Sequence, residues 1–208
     1  MLKFRFLLLC LGLVLALNGF QGAEAEESVV YETPGCPVFT LGEGFRYMGE
    51  PGMNISTYCS GNNCNTLLAK PGTKARYDLF AVASPDKAPE EVCLFIRYEL
   101  VGRRHHWAAT KGNNVTINGR YYSELFAVYL GEKKQDFKAV EEYLAEQGHP
   151  VAEPGYVAYL VQRNINVETR LTVIYACNVR MLPKEILKDG KKIEQFLRDR
   201  FAERVVPL

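Results

Sequence analysis

The residues best equipped for chemistry in this chain are three histidines and six cysteines. His105 and His106 are adjacent and precede Trp107; the remaining histidine is His149. Neighbouring residues on a strand point to opposite faces, so His105 and His106 cannot share one metal ion there. No carboxylate or further histidine stands at ligand spacing beside them, so neither a metal site nor a cofactor is expected. Cys36 is the candidate nucleophile, paired with His105, His106 or His149. It lies in Thr33-Pro34-Gly35-Cys36-Pro37, where no helix follows whose N-terminus would lower the thiol pKa. Cys59 and Cys64 are spaced too widely for a C-x-x-C redox motif. The nucleophile elbow, the zinc-protease helix, the P-loop and the dinucleotide fingerprint all lack a counterpart in the sequence. Glu90-Glu91 and Glu141-Glu142 read as solvated faces rather than paired catalytic acids.

Aromatic side chains offer a different kind of site. Trp107, Tyr121, Tyr129 and Tyr159 fall on segments of strand character and are candidates to line a cavity for a small apolar ligand. The same rings serve equally well as core.

Those residues need a scaffold, and the cysteines indicate where it operates. Lys3 and Arg5 precede an apolar run from Phe6 to Leu17, and Ala23-Glu24-Ala25 has the form of a cleavage site, so residues 1–25 read as a secretory signal peptide. The apolar run is too short for a permanent membrane span, and no later segment is long enough. Residues 26–208 are then a single soluble domain, bacterial periplasmic or extracellular. Cleavage removes Lys3, Arg5 and Glu24 and leaves acids and bases balanced, which argues against a nucleic-acid partner. Export favours disulfides. Cys59 and Cys64 flank a Gly- and Asn-rich tip and form one expected bridge; Cys93 with Cys177, both on expected strands, forms the second and leaves Cys36 over. Asn54 and Asn114 begin sequons close to expected turns.

The periodicity of the chain is mainly that of strands. Tyr156–Arg163 and Arg170–Val179 are rich in β-branched and aromatic residues and are joined by the polar Asn164–Glu168, which predicts a hairpin. Alternation puts Leu171, Val173, Tyr175, Cys177 and Val179 on one face and Thr172, Ile174, Ala176 and Asn178 on the other. Neither face is strongly polar, so this strand is expected at the centre of the sheet. Further strands are expected at Thr73–Ala83, Val92–Val101, His105–Thr110 and Arg120–Leu130. In Val92–Leu100 one side is expected to face the core. Val29–Tyr31 reads either as disordered or as a short edge strand. Asn118-Gly119 predicts a hairpin turn that folds Arg120–Leu130 back on Val115–Ile117. Met53–Ala69 reads as a hairpin stapled by Cys59 and Cys64.

Helical spacing occurs twice, at 136–147 and from Pro183 towards Arg204, the second interrupted at Asp189-Gly190. Basic residues on that last helix alternate with acids, which suits a solvated face better than a membrane contact. The expected fold is α+β, a mostly antiparallel sheet with a short helix near 136–147 and a C-terminal helix near 183–204; a barrel-like sheet is the alternative.

With few histidines and no catalytic spacing, the chain reads as an exported, non-catalytic module that binds a protein or a small apolar ligand. The rival reading is a small secreted hydrolase whose histidine-based site assembles only in the fold.

Overall fold

The computed structural model describes residues 28–51, 73–100, 107, 113–127 and 138–208. The expected signal peptide, the expected Cys59–Cys64 hairpin, Asn54, His105, His106 and Tyr129 lie outside the described residues.

In chain order the elements are β1 (Val29–Tyr31), β2 (Phe39–Leu41), β3 (Phe45–Gly49), β4 (Thr73–Val82), β5 (Glu91–Leu100), β6 (Asn113–Ile117), β7 (Arg120–Ala127), α1 (Lys138–Glu146), β8 (Tyr156–Asn164), β9 (Thr169–Asn178), α2 (Gly190–Arg204) and β10 (Val205–Pro207). Among the described residues these strands build a seven-stranded sheet in the order β3-β4-β5-β9-β8-β7-β6 and a three-stranded sheet in the order β1-β2-β10. Every described pairing is antiparallel. β3 and β6 are the two edges of the large sheet, so it is open rather than a closed barrel, and the fold is α+β.

β9 is the middle strand, and the alternation in its sequence gives it two cores. Leu171, Val173, Tyr175 and Cys177 pack on the front face beneath α2 and the small sheet, in one cluster with Phe39, Leu41, Leu197 and Phe201. Ile174 and Ala176 pack on the back face with Val140 and Leu144 of α1. β5 behaves the same way: Cys93 and Phe95 face the front, Val92, Leu94, Ile96 and Tyr98 the back. One core-facing side was expected of β5, and the structure gives it two. Its polar residues Arg97 and Glu99 stand at the far end of the strand, where the front core thins out.

Local chemistry accounts for the element ends. Asn118 and Gly119 adopt φ of 47° and 72°, so the β6–β7 turn has both central residues in the left-handed region that Asn-Gly accommodates. Asn166 Oδ1 accepts from the backbone N–H groups of Glu168 and Thr169 (2.8 and 2.7 Å) and closes the β8–β9 hairpin. Gly148, at φ 89°, ends α1 while the His149 N–H bonds back to the Leu144 carbonyl, a glycine-terminated helix end. The C-terminal helix divides where expected: a 3-10 turn at Lys184–Ile186 precedes α2, and Asp189 caps α2 through the Lys191 and Lys192 N–H groups.

Two buried carboxylates tie the layers together. Glu91, 2% exposed, accepts from Tyr175 Oη (2.6 Å), Arg200 Nη2 (2.6 Å) and Arg204 Nε (2.7 Å), so α2 is anchored to the centre of the sheet by charge. Asp78 accepts from Tyr31 Oη (3.0 Å) and from Arg76 Nη2 (3.1 Å). The solvated reading of Glu90-Glu91 is therefore corrected for Glu91, and Glu141 is buried as well. Two cations delivered by a helix distant in sequence make burial of Glu91 tolerable.

Cys93 and Cys177 are free thiols, which corrects the expected bridge between them. Register explains it. Cys93 lies opposite Tyr175, and Cys177 opposite Glu91, so the two cysteines are diagonal neighbours on one face. Diagonal partners stand roughly 7–8 Å apart, too far for the Cα spacing of a disulfide.

Candidate functional site

The β7–β8 ladder runs from Ala127–Ala158 to Ser123–Gln162 and stops there, although β7 begins at Arg120 and β8 continues to Asn164. A notch of about 450 Å³ occupies the place where the two strands part. Ser123 and Gln162, the last cross-strand pair, form its floor. Tyr121, Tyr122 and Asn114 make one wall, and Arg163 and Asn164 the other.

Strand alternation sorts these side chains. Gln162 follows the back-facing Leu160, and its partner Ser123 shares that face. Tyr122 joins the front cluster, and Arg163 follows the front-facing Val161. The Arg163 guanidinium carbon lies 5.8 Å from the centre of the Tyr122 ring. Asn114, Tyr121, Ser123, Gln162 and Asn164 therefore share the back face, while Tyr122 and Arg163 turn to the front.

Three side-chain atoms of the bordering residues are buried without a hydrogen-bond partner, Gln162 Nε2 on the back face and Tyr122 Oη and Arg163 Nη1 on the front. All three carry hydrogens to donate. An unsatisfied buried polar group costs about 1–3 kcal/mol, and native folds keep few of them, so Gln162 Nε2 at the floor of the notch calls for an explanation. Burial raises the Tyr122 pKa, with Arg163 and Arg120 opposing it, and the phenol therefore keeps its proton at neutral pH.

A second polar group adjoins the notch. Asn164 Oδ1 accepts from Arg170 Nε (2.8 Å), and the Arg170 guanidinium lies 4.2 Å from the Trp107 ring centre. Trp107 is held at both ends, its indole N–H donating to the Glu168 carbonyl (2.8 Å) and its backbone N–H to Val167 (3.0 Å). It packs over Tyr98 on the back core.

The expected aromatic cavity is not assembled from the described rings. Tyr159 is 1% exposed and packs against Phe201 on the front face, while Trp107 belongs to the back. Tyr121, 74% exposed, is the one described member of that set lining the notch. The strand positions of Tyr121 and Tyr159 were legible, whereas Trp107, expected on a strand over His105–Thr110, lies in no described strand, and which face each ring occupies depended on register. Gln162 and Arg163 escaped notice because they stand at the polar end of a strand, where they resemble ordinary solvent-facing residues.

Among the described residues the catalytic alternatives gain no geometry, and His105 and His106 lie outside them. Cys36 packs against the front core, whereas His149 follows α1 on the back, its Nδ1 lying 3.3 Å from the Lys87 carbonyl. Burial raises the Cys36 thiol pKa, with Arg97 opposing, the reverse of what an activated nucleophile needs. Among the described residues no three His, Cys, Asp or Glu side chains gather closely enough to hold a metal ion. A second cleft of about 480 Å³ runs between Asp86–Lys87 and Glu153–Arg180, with carboxylates and bases mixed along it.

No protein-family model, curated protein or solved structure matches the chain. Its functional reading rests on the residues themselves.

Proposed function

We propose that the chain is an exported, non-catalytic binding module that takes a small polar ligand in the notch between β7 and β8. The observation that carries this reading is the notch where the β7–β8 ladder ends, bordered by amide and hydroxyl side chains, with Gln162 Nε2 buried there without an acceptor. A folded chain that leaves such a group unpaired while lining a concave surface with amides and hydroxyls is arranged to hydrogen-bond something from outside. The volume suits the purpose, since ligand sites span about 300–1,000 Å³. A polar ligand replaces the apolar one expected from the aromatic residues, because Tyr159 and Trp107 lie on opposite sides of the sheet.

Export is supported by Lys3 and Arg5, the apolar Phe6–Leu17 and Ala23-Glu24-Ala25. The buried thiols Cys93 and Cys177 are compatible with an oxidising compartment, because each is sealed in the front core.

Saturation-transfer NMR on the full chain with glucose, glucuronate and glycine tests the binding reading. Transfer to at least one of these polar probes is expected, and it should be lost when Ser123 is replaced by leucine with the fold retained. Transfer to none of them, or transfer that survives S123L unchanged, contradicts the proposal. In the secreting cell, the mature N-terminus should fall near Glu26 by mass spectrometry; an intact residue 1 in the exported fraction counts against export by this signal.

A further inference from the structure

We infer that a phosphate group binds on the front face of the sheet, where β7 and β8 part, held by Arg120, Arg163 and Tyr122. The site lies on the opposite face from the amide and hydroxyl groups of the notch and stands independently of the function proposed above.

Register brings the three side chains to one place. Tyr122 pairs with Val115 and Arg120 with Ile117, and both β6 residues pack against the front cluster, so Arg120 and Tyr122 share that face. Arg163 lies opposite Leu171 of the same cluster, and its guanidinium carbon stands 5.8 Å from the centre of the Tyr122 ring. Both positive charges are felt at the Tyr122 phenol, where they oppose the rise of its pKa. Beyond Ser123–Gln162 no ladder joins β7 to β8, and Tyr122 and Arg163 border the space left there.

Charge and hydrogen bonding are both left open at this place. The neighbouring front-facing carboxylates already have cations: Glu99 pairs with Arg97 at 2.6 Å, and Glu124 pairs with Arg198. Among the described residues neither Arg120 nor Arg163 has a carboxylate within ion-pair distance. Val115, Ile117 and Ile165 are half-buried on the same front cluster, and guanidiniums beside apolar side chains carry a desolvation cost that an anion offsets. Tyr122 is 2% exposed, and its hydroxyl and Arg163 Nη1 are buried without a hydrogen-bond partner. Phenol O–H and guanidinium N–H groups all donate here, so their complement is a group made only of acceptors. Two guanidiniums match the charge of a phosphate monoester, about −1.5 to −2 at neutral pH, and its three acceptor oxygens serve three donor side chains where a carboxylate offers two. Arg163 rests over the Tyr122 ring, and a change of its rotamer opens the hydroxyl to the anion; side-chain adjustment of this size is common on binding.

Isothermal titration of the full chain with inorganic phosphate, glycerol phosphate and acetate, at constant ionic strength set with sodium chloride, tests the inference. Phosphate or its ester is expected to bind at least about tenfold more tightly than acetate, and the tighter of the two shows whether the group arrives free or on a larger molecule. Arg120→Gln and Arg163→Gln should each weaken that binding at least about tenfold, the loss of one charge-assisted contact. Arg163→Lys, which keeps the charge, should retain more affinity than R163Q. Tyr122→Phe should weaken binding several-fold while the melting temperature stays level or rises, because the deleted hydroxyl has no partner in the free protein. A hydroxyl that merely supported the fold would lower the melting temperature instead. Acetate binding as tightly as phosphate and its ester overturns the phosphate class. Full affinity in either R120Q or R163Q overturns the site, and so does the absence of binding by both phosphate and glycerol phosphate.

Discussion

Glu91 shows how much one residue's setting depends on distant parts of the chain. Beside Glu90 it looked like one of two surface acids, yet its alternation within β5 turns it into the front core. There Tyr175, Arg200 and Arg204 surround it. No local pattern around Glu91 announces two arginines that arrive from a helix more than a hundred residues later. Removing one partner of a buried ion pair leaves the others uncompensated and typically costs about 3–5 kcal/mol. Glu91→Gln keeps the shape and deletes the charge, so the urea midpoint is expected to fall by a corresponding amount at unchanged slope. A midpoint equal to that of the parent protein would show that the network contributes nothing net. The cysteines teach the same lesson: their strand positions were legible, but the two-residue offset between Cys93 and Cys177 is a matter of register between strands far apart in sequence.

At the scale of elements the sequence was more informative, because turns and caps are local. Asn118-Gly119 and Asp189 each mark the boundary they were expected to mark, and the alternation in β9 identified a strand covered on both sides. Gly119 has open space where a Cβ would point, so its substitution is governed by backbone conformation alone. With φ at 72°, Gly119→Ala is expected to destabilise the protein by roughly 1–2 kcal/mol without changing the register of β6 and β7. Chemical denaturation measures the loss, and no loss at all would mean that the turn relaxes freely. Gly49 is a contrasting case: at φ 115° it also lies where a Cβ would sit 2.3 Å from Tyr143 Oη, the group that links α1 to the Met48 carbonyl. What the elements did not disclose was the notch. The end of a ladder between two strands leaves no mark in either sequence, because both continue as strands paired on their other sides.

For the whole molecule, two cores on one sheet bury several groups that ionise only at high pH. Burial pushes the Cys177 thiol from 9.0 up to about 12, with Glu91 adding to the rise. Burial likewise takes Tyr77 and Tyr159 from 10.0 up to about 12. In the unfolded chain these groups release their protons near pH 9 and 10, while the folded protein still holds them. Stability therefore falls as pH climbs from about 9 towards 12, and these groups contribute no slope below that window. Urea midpoints taken between pH 8 and 11 should decline with pH, and a flat profile would contradict the burial of these groups. The strand-rich α+β class could be inferred from the sequence, since alternation and late helical spacing specify element types. The order β3-β4-β5-β9-β8-β7-β6 could not, because each pairing is decided by non-local contacts summed across whole strands.

The central claim is that the notch between β7 and β8 is where this protein meets its ligand, and amide chemical-shift mapping of the full chain titrated with glucose, glucuronate and glycine tests it most directly. The account predicts saturable shifts centred on Asn114, Tyr121–Ser123 and Gln162–Asn164, with the cleft between Asp86–Lys87 and Glu153–Arg180 unmoved. Saturable shifts confined to that second cleft, or none anywhere at millimolar ligand, would contradict it.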